Sequence, residues 1–173
     1  MHRLAVAVVA AAAAVLTVAA APVPSGSDLA VVQMDPDPVG PGGTTTVHAF
    51  VANLGPDVTA QPFSVLVVLP WGARAVGPFF PAGCDVFAGG SAVLCTFPAG
   101  LPPLRTATAL IPVQISPGQL ARQTLTGGRV TVVSAEDSDP RDNTAPFTIA
   151  ISAPAGATAP GRAPDPGRPF AQR

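Results

Sequence analysis

The sequence predicts an all-β chain, an immunoglobulin-like β-sandwich of about seven or eight antiparallel strands. Three observations carry that expectation. Short runs rich in Val, Ile, Thr and Phe alternate apolar and polar residues with a period of two. The 22 Pro and 17 Gly fall between those runs at intervals of a strand length, so each run is bounded by turn chemistry. No stretch after Ala21 repeats with the helical period of about 3.6 residues. A hydrophobic content of 48% excludes disorder throughout.

Residues 43–70 organise the rest and read as strand, tight turn, strand. Thr45, Val47, Ala49 and Val51 share one face, and Thr46, His48, Phe50 and Ala52 the other. Asn53-Leu54-Gly55-Pro56-Asp57 then supplies turn residues: Asn and Gly tolerate positive φ, Pro presets φ, and Asp bonds its own backbone. Phe63, Val65, Val67 and Leu69 follow in phase and stop at Pro70.

The remaining elements take their places around this pair. Residues 28–34 form a first strand, ended by Asp35-Pro36-Asp37-Pro38, where each X-Pro pair disfavours continued pairing. Residues 73–80 alternate weakly and read as an edge strand or wide loop. Cys84 and Cys95 flank a Gly89-Gly90 turn and sit on opposite arms of a hairpin. Residues 104–115 make a long strand, 128–135 alternate with Val130 and Val132 on one face, and an acidic turn runs from Glu136 to Asn143. Phe147, Ile149 and Ile151 close the domain, giving a sandwich over residues 28–151.

The ends differ from this body. Met1-His2-Arg3 precedes an uncharged Ala/Val/Leu run, and Val18-Ala19-Ala20 offers small residues, so residues 1–20 read as a cleaved export signal. A retained anchor is the competing reading, at the lower edge of spanning length. Residues 21–27 form a flexible lead. Residues 152–173, dominated by Ala, Pro, Gly and Arg, bury too little to order themselves and read as a disordered tail. The expected product is secreted, with no membrane span in the mature chain. All nine basic residues are Arg, which reflects coding composition, and a net charge of −1 gives nucleic acid nothing to hold.

Several motifs stand in a recognisable order. Pro41-Gly42-Gly43 leads into the strand that ends Asn53-Leu54-Gly55-Pro56-Asp57. Leu69-Pro70-Trp71-Gly72 follows, then Cys95-Thr96-Phe97, then Asp139-Pro140-Arg141-Asp142-Asn143-Thr144. This order resembles the bacterial conserved-repeat family called domain of unknown function eleven. More loosely it is similar to the cell-adhesion-related domain found in bacteria. The likeness spans residues 28–151, with one copy present and Asp142-Asn143 where the family has an Asn pair. It implies an immunoglobulin-like sandwich in surface or secreted proteins, and it brings no catalytic residue.

The chemistry-bearing residues are few. Cys84 and Cys95 are the only cysteines, and in an oxidising compartment they make a structural bridge worth about 3 kcal/mol in the chain-entropy model. Their spacing is not that of a redox pair. Asp137, Asp139, Asp142 and Asn143 offer calcium the hard oxygens it prefers, but the spacing matches no EF-hand loop, and the favoured reading is an Asx-rich turn with no metal. Asp35 and Asp37 follow the same logic. His48, the only histidine after the signal, has no partner for a zinc site or a catalytic triad. Trp71, Phe79 and Phe80 either cap one end of the core or form an exposed aromatic patch.

These residues imply no cofactor and no enzyme. They predict a secreted, non-catalytic module with a structural or interaction role at the bacterial cell surface. Its expected partner is a surface protein or a wall polysaccharide. The alternative is a carbohydrate or cell-wall binding module that uses the Trp71, Phe79 and Phe80 surface.

Overall fold

The structure, a computed structural model, describes residues 26–153. The export segment, most of the lead and most of the tail lie outside the described residues. Nine strands form: β1 (Leu29–Val32), β2 (Thr44–Asn53), β3 (Phe63–Val68), β4 (Ala73–Ala75), β5 (Cys84–Phe87), β6 (Ala92–Phe97), β7 (Thr106–Ile115), β8 (Thr124–Val133) and β9 (Thr144–Ala150). A single turn of 3-10 helix at Ala88–Gly90 is the only helical piece among the described residues. The strands make two antiparallel sheets, ordered β1-β2-β7-β4 and β5-β6-β3-β8-β9.

Alternation decides which side chains lie between the sheets. From the four-stranded sheet come Val47, Ala49 and Val51 of β2 and Ala109, Ile111, Val113 and Ile115 of β7, all essentially solvent-free. The five-stranded sheet answers with Val65, Val67, Val93, Cys95, Val130, Val132, Phe147 and Ile149. β-branched side chains suit a pleated, packed face. Burying each stabilises by about 1.5–3 kcal/mol.

One local expectation is overturned. β2 and β3 are not the arms of a hairpin. β2 pairs with β1 and β7, whereas β3 pairs with β6 and β8 in the opposite sheet. Residues 54–62 carry the chain across the sandwich. The reason is Asn53, whose carboxamide bonds distant segments: Nδ2 donates to the Leu101 carbonyl at 2.9 Å, and Oδ1 accepts the Asp28 N–H at 3.2 Å. The turn residues therefore bend the chain out of its sheet.

Two boundaries also move. β8 begins at Thr124 instead of 128, because a bulge between Leu125 and Gly128 lets the strand keep pairing with β9. Residues 73–80 supply an edge strand of only three residues, β4. Pro112 of β7 accounts for its shortness. Its carbonyl accepts the Val76 N–H at 2.9 Å, but it has no N–H to return, so the pairing lapses. It resumes at Phe80, which exchanges both backbone bonds with Leu110.

The hairpin of β5 and β6 forms as read from the sequence. Cys84 stands opposite Cys95 in its register, and the two are joined by a disulfide.

Candidate functional site

Odd-numbered residues of β7 point into the core, so its even-numbered residues form the outer face of the four-stranded sheet. Register then fixes their neighbours. Phe50 lies beside Val32 on one side and Thr108 on the other, and His48 lies beside Leu110. Leu110 in turn lies beside Phe80, and Thr46 beside Pro112. His48 and Phe50 touch, with ring centroids 5.8 Å apart. Phe80 is 59% and Val32 43% exposed. The result is a shallow apolar face crossing three strands and the Phe80 bridge, with three of its members aromatic.

The other outer face is less aromatic. Leu66 and Leu94 lie side by side there, flanked by Ser64, Thr96, Thr131 and Arg129 on the neighbouring rows, and Phe87 sits on the edge strand.

The sequence singled out Trp71, Phe79 and Phe80 together, and the structure separates them. Ser116 N–H bonds the Gly72 carbonyl at 2.8 Å, while Leu110 N–H bonds Phe80 at the same distance. Those two points lie six residues apart on β7, about 20 Å at strand rise. Phe79 packs against the core. Trp71 stands alone at a turn, 88% exposed. The members of the apolar face that sequence reasoning missed, Val32 and Leu110, carry no motif. Only the cross-strand register brings them together.

Next to the Trp71 turn the same sheet ends in a recess of about 250 Å³, lined by Arg74, Gln114, Ile115, Ser116 and Pro117. Arg74 Nε and Nη2 donate to Gln114 Oε1 at 3.2 and 2.8 Å.

The acidic turn is a brace. Asp137 Oδ2 accepts the Leu29 N–H at 3.1 Å, and its Oδ1 accepts the Asp139 N–H at 3.0 Å. Asp139 takes a two-pronged bond from Arg141, at 2.7 and 2.6 Å, which holds its carboxyl down at about 2. The carbonyls of Asp142 and Asn143 accept Val31 N–H and Val132 N–H, tying the turn to both sheets. Burial raises the Asp142 carboxyl, and the neighbouring Asp28 adds to the shift. The Oδ1 atoms of Asp28, Asp142 and Asn143 are enclosed without a hydrogen-bond partner. Among the described residues no three His, Cys, Asp or Glu side chains stand together as a metal set. Asp35 instead accepts the Thr148 N–H at 2.7 Å.

No protein-family model matches the chain, and no curated protein matches it. Solved structures do. The third cohesin ScaC of Acetivibrio cellulolyticus, solved in complex with the ScaB dockerin, matches with a TM-score of 0.51 at 13% identity, over 72% of this chain and 99% of its own. BcpA, the major pilin subunit of Bacillus cereus, matches with a TM-score of 0.50 at 9% identity, over 73% of this chain and 39% of the pilin. At such identities the likeness establishes the fold alone. No helix among the described residues is long and apolar enough to cross a membrane.

Proposed function

We propose that this chain is an exported, non-catalytic immunoglobulin-like module that binds a partner protein at the bacterial surface. The outer face of the four-stranded sheet is the docking surface. The observation that carries this is the alignment of Val32, Phe50, His48, Leu110, Phe80 and Pro112 into one apolar face on a rigid sheet. Contiguous apolar surface rimmed by polar residues marks an interaction site, and aromatic anchors supply most of the energy at such interfaces. Thr44, Thr46 and Thr108 provide the polar surround.

Other observations support the setting. The disulfide and the export segment fit an oxidising compartment. The motif order similar to domain of unknown function eleven fits a surface protein. The cohesin of the same fold was solved in complex with a dockerin, and the other neighbour is a major pilin subunit.

The test is site-specific photocrosslinking on intact cells, with the crosslinker at position 110 and, as a control, at position 131 on the opposite sheet. Position 110 is expected to give one discrete protein adduct that Phe50→Asp abolishes, with none from position 131. Equal labelling from both positions, or no adduct at 110, overturns the proposal.

A further inference from the structure

We infer a second, separate binding site on this protein: a subsite for an acidic saccharide, built by Trp71, Arg74, Gln114 and Ser116. It goes beyond the protein-docking face and does not depend on it.

The local fold presents these groups deliberately. Residues 70–73 form a turn closed by Ala73 N–H on the Pro70 carbonyl at 3.2 Å. Gly72 takes φ +89°, which a side chain resists, and a Cβ there would run into the buried Gln119 side chain. The turn is thus fixed from beneath, and it holds Trp71 at its tip in solvent. The apolar ring of Trp71 is thereby left open to stack on a ligand. The Gly72 carbonyl receives Ser116 N–H at 2.8 Å, which sets the Trp71 turn directly against the recess that Ser116 lines. Arg74 is three residues further on, at most about 11 Å along the chain, a span that accommodates two linked sugar rings.

The polar groups define the ligand's charge. Arg74 spends Nε–H and one Nη2–H on Gln114 Oε1. That bond fixes the guanidinium plane and leaves the Nη1 hydrogens, the remaining Nη2 hydrogen and the Gln114 carboxamide N–H groups unspent. The recess is therefore rich in donors. It also carries a full positive charge, since among the described residues the one salt bridge joins Arg141 to Asp139. A planar, pre-oriented guanidinium suits a carboxylate. The exposed indole of Trp71, three residues before Arg74, suits the C–H face of a pyranose. A uronate-bearing oligosaccharide supplies both, and a neutral glycan supplies only the second. The recess volume of about 250 Å³ fits a single sugar unit with its carboxylate.

Trp71 is the only tryptophan in the chain, so its fluorescence reports this site alone. The experiment titrates the intact secreted protein with an oligouronate, with the uncharged oligosaccharide of the same linkage and with oligoglutamate. Calorimetry runs in parallel. The oligouronate is expected to shift the emission saturably, and Arg74→Gln to weaken it by about tenfold or more, the loss of one charge-assisted bond. Trp71→Ala is expected to remove the calorimetric signal, while Leu110→Asp, on the docking face, leaves both signals intact. No saturable response to the oligouronate overturns the site. Equal binding of the neutral chain, or an unchanged affinity in Arg74→Gln, overturns the acidic ligand. A response to oligoglutamate alone overturns the saccharide in favour of an acidic peptide.

Discussion

Asn53 and Leu101 are 48 residues apart, yet the Asn53 carboxamide donates to the Leu101 carbonyl at 2.9 Å from a fully buried position. The same side chain donates to the Asp57 carbonyl and accepts from Asp28 N–H and Gly55 N–H. One amide therefore locks the entry of β1, the crossing between the sheets and the approach to β7. Replacing it removes four hydrogen bonds to the backbone at once, the one to Gly55 fully buried and the other three partly so. Asn53→Ala is expected to cost about 3 kcal/mol or more. Urea unfolding measures this, and a midpoint unchanged from the parent would refute the latch.

How much of this was legible from the chain follows from which forces are local. The inner faces of β2, β3, β8 and β9 were readable because burial on one side of a strand imposes alternation, whereas in β7 apolar residues on both faces (Leu110 and Pro112 outward, Ile111 and Val113 inward) hid which side is buried. The bridge between Cys84 and Cys95 was readable because only two cysteines exist and they flank a turn. Sheet partnership was not, since Asn53-Leu54-Gly55-Pro56-Asp57 has the composition of a hairpin turn, and only its long-range bonds turn it into a crossing. The binding face was half legible. Phe50 and His48 were visibly outward, but nothing in the chain shows that Val32 and Leu110 flank them. Trp71 and Phe80 misled for the opposite reason, being near in sequence and far along β7.

Gly55 tests the same crossing from the backbone side. A Cβ at this position would strike the Gly26 carbonyl and crowd the Asp28 amide, both main-chain groups that no rotamer change can move aside. Gly55→Ala is expected to displace the start of β1 and cost about 2 kcal/mol, within the range for steric strain at a closely approached backbone. Hydrogen exchange localises the effect. Loss of protection at Leu29 and Val31 ahead of the rest of the four-stranded sheet is the expected pattern, and uniform loss argues against it.

The disulfide fastens an otherwise weakly held edge. β5 is four residues long, and its Asp85, Val86 and Phe87 are all exposed. It has a single neighbour, β6. Cys95, by contrast, is fully buried in the core. Replacing both cysteines by alanine is expected to lower stability by about 3 kcal/mol, the chain-entropy value for a loop of this size. The exchange protection of β5 is expected to be lost well before that of β6. Alkylation of the parent protein only after reduction checks the premise.

Asp142 and Asp139 share one turn and respond to pH in opposite senses. Asp139 is held down at about 2 by the hydrogen bonds of Arg141, so its contribution is complete above 3.8 and disappears as pH falls through about 2. Asp142 is raised, first by burial and then by Asp28, with Asp139 and Asp137 adding to the repulsion. A raised carboxyl favours the protonated fold. Its stabilisation is therefore complete below the ordinary 3.8 and is lost as pH rises through the folded value, so at neutral pH the charged Asp142 opposes folding. Asp142→Asn removes that charge and its repulsion with Asp28. In EDTA the variant is expected to melt higher than the parent at pH 7, with the gain vanishing below about pH 4. Repeating the melts in millimolar calcium adds a second decision. If the parent gains stability from calcium and Asp142→Asn does not, the enclosed oxygens of Asp28, Asp142 and Asn143 serve a cation, and the acidic turn is more than a brace.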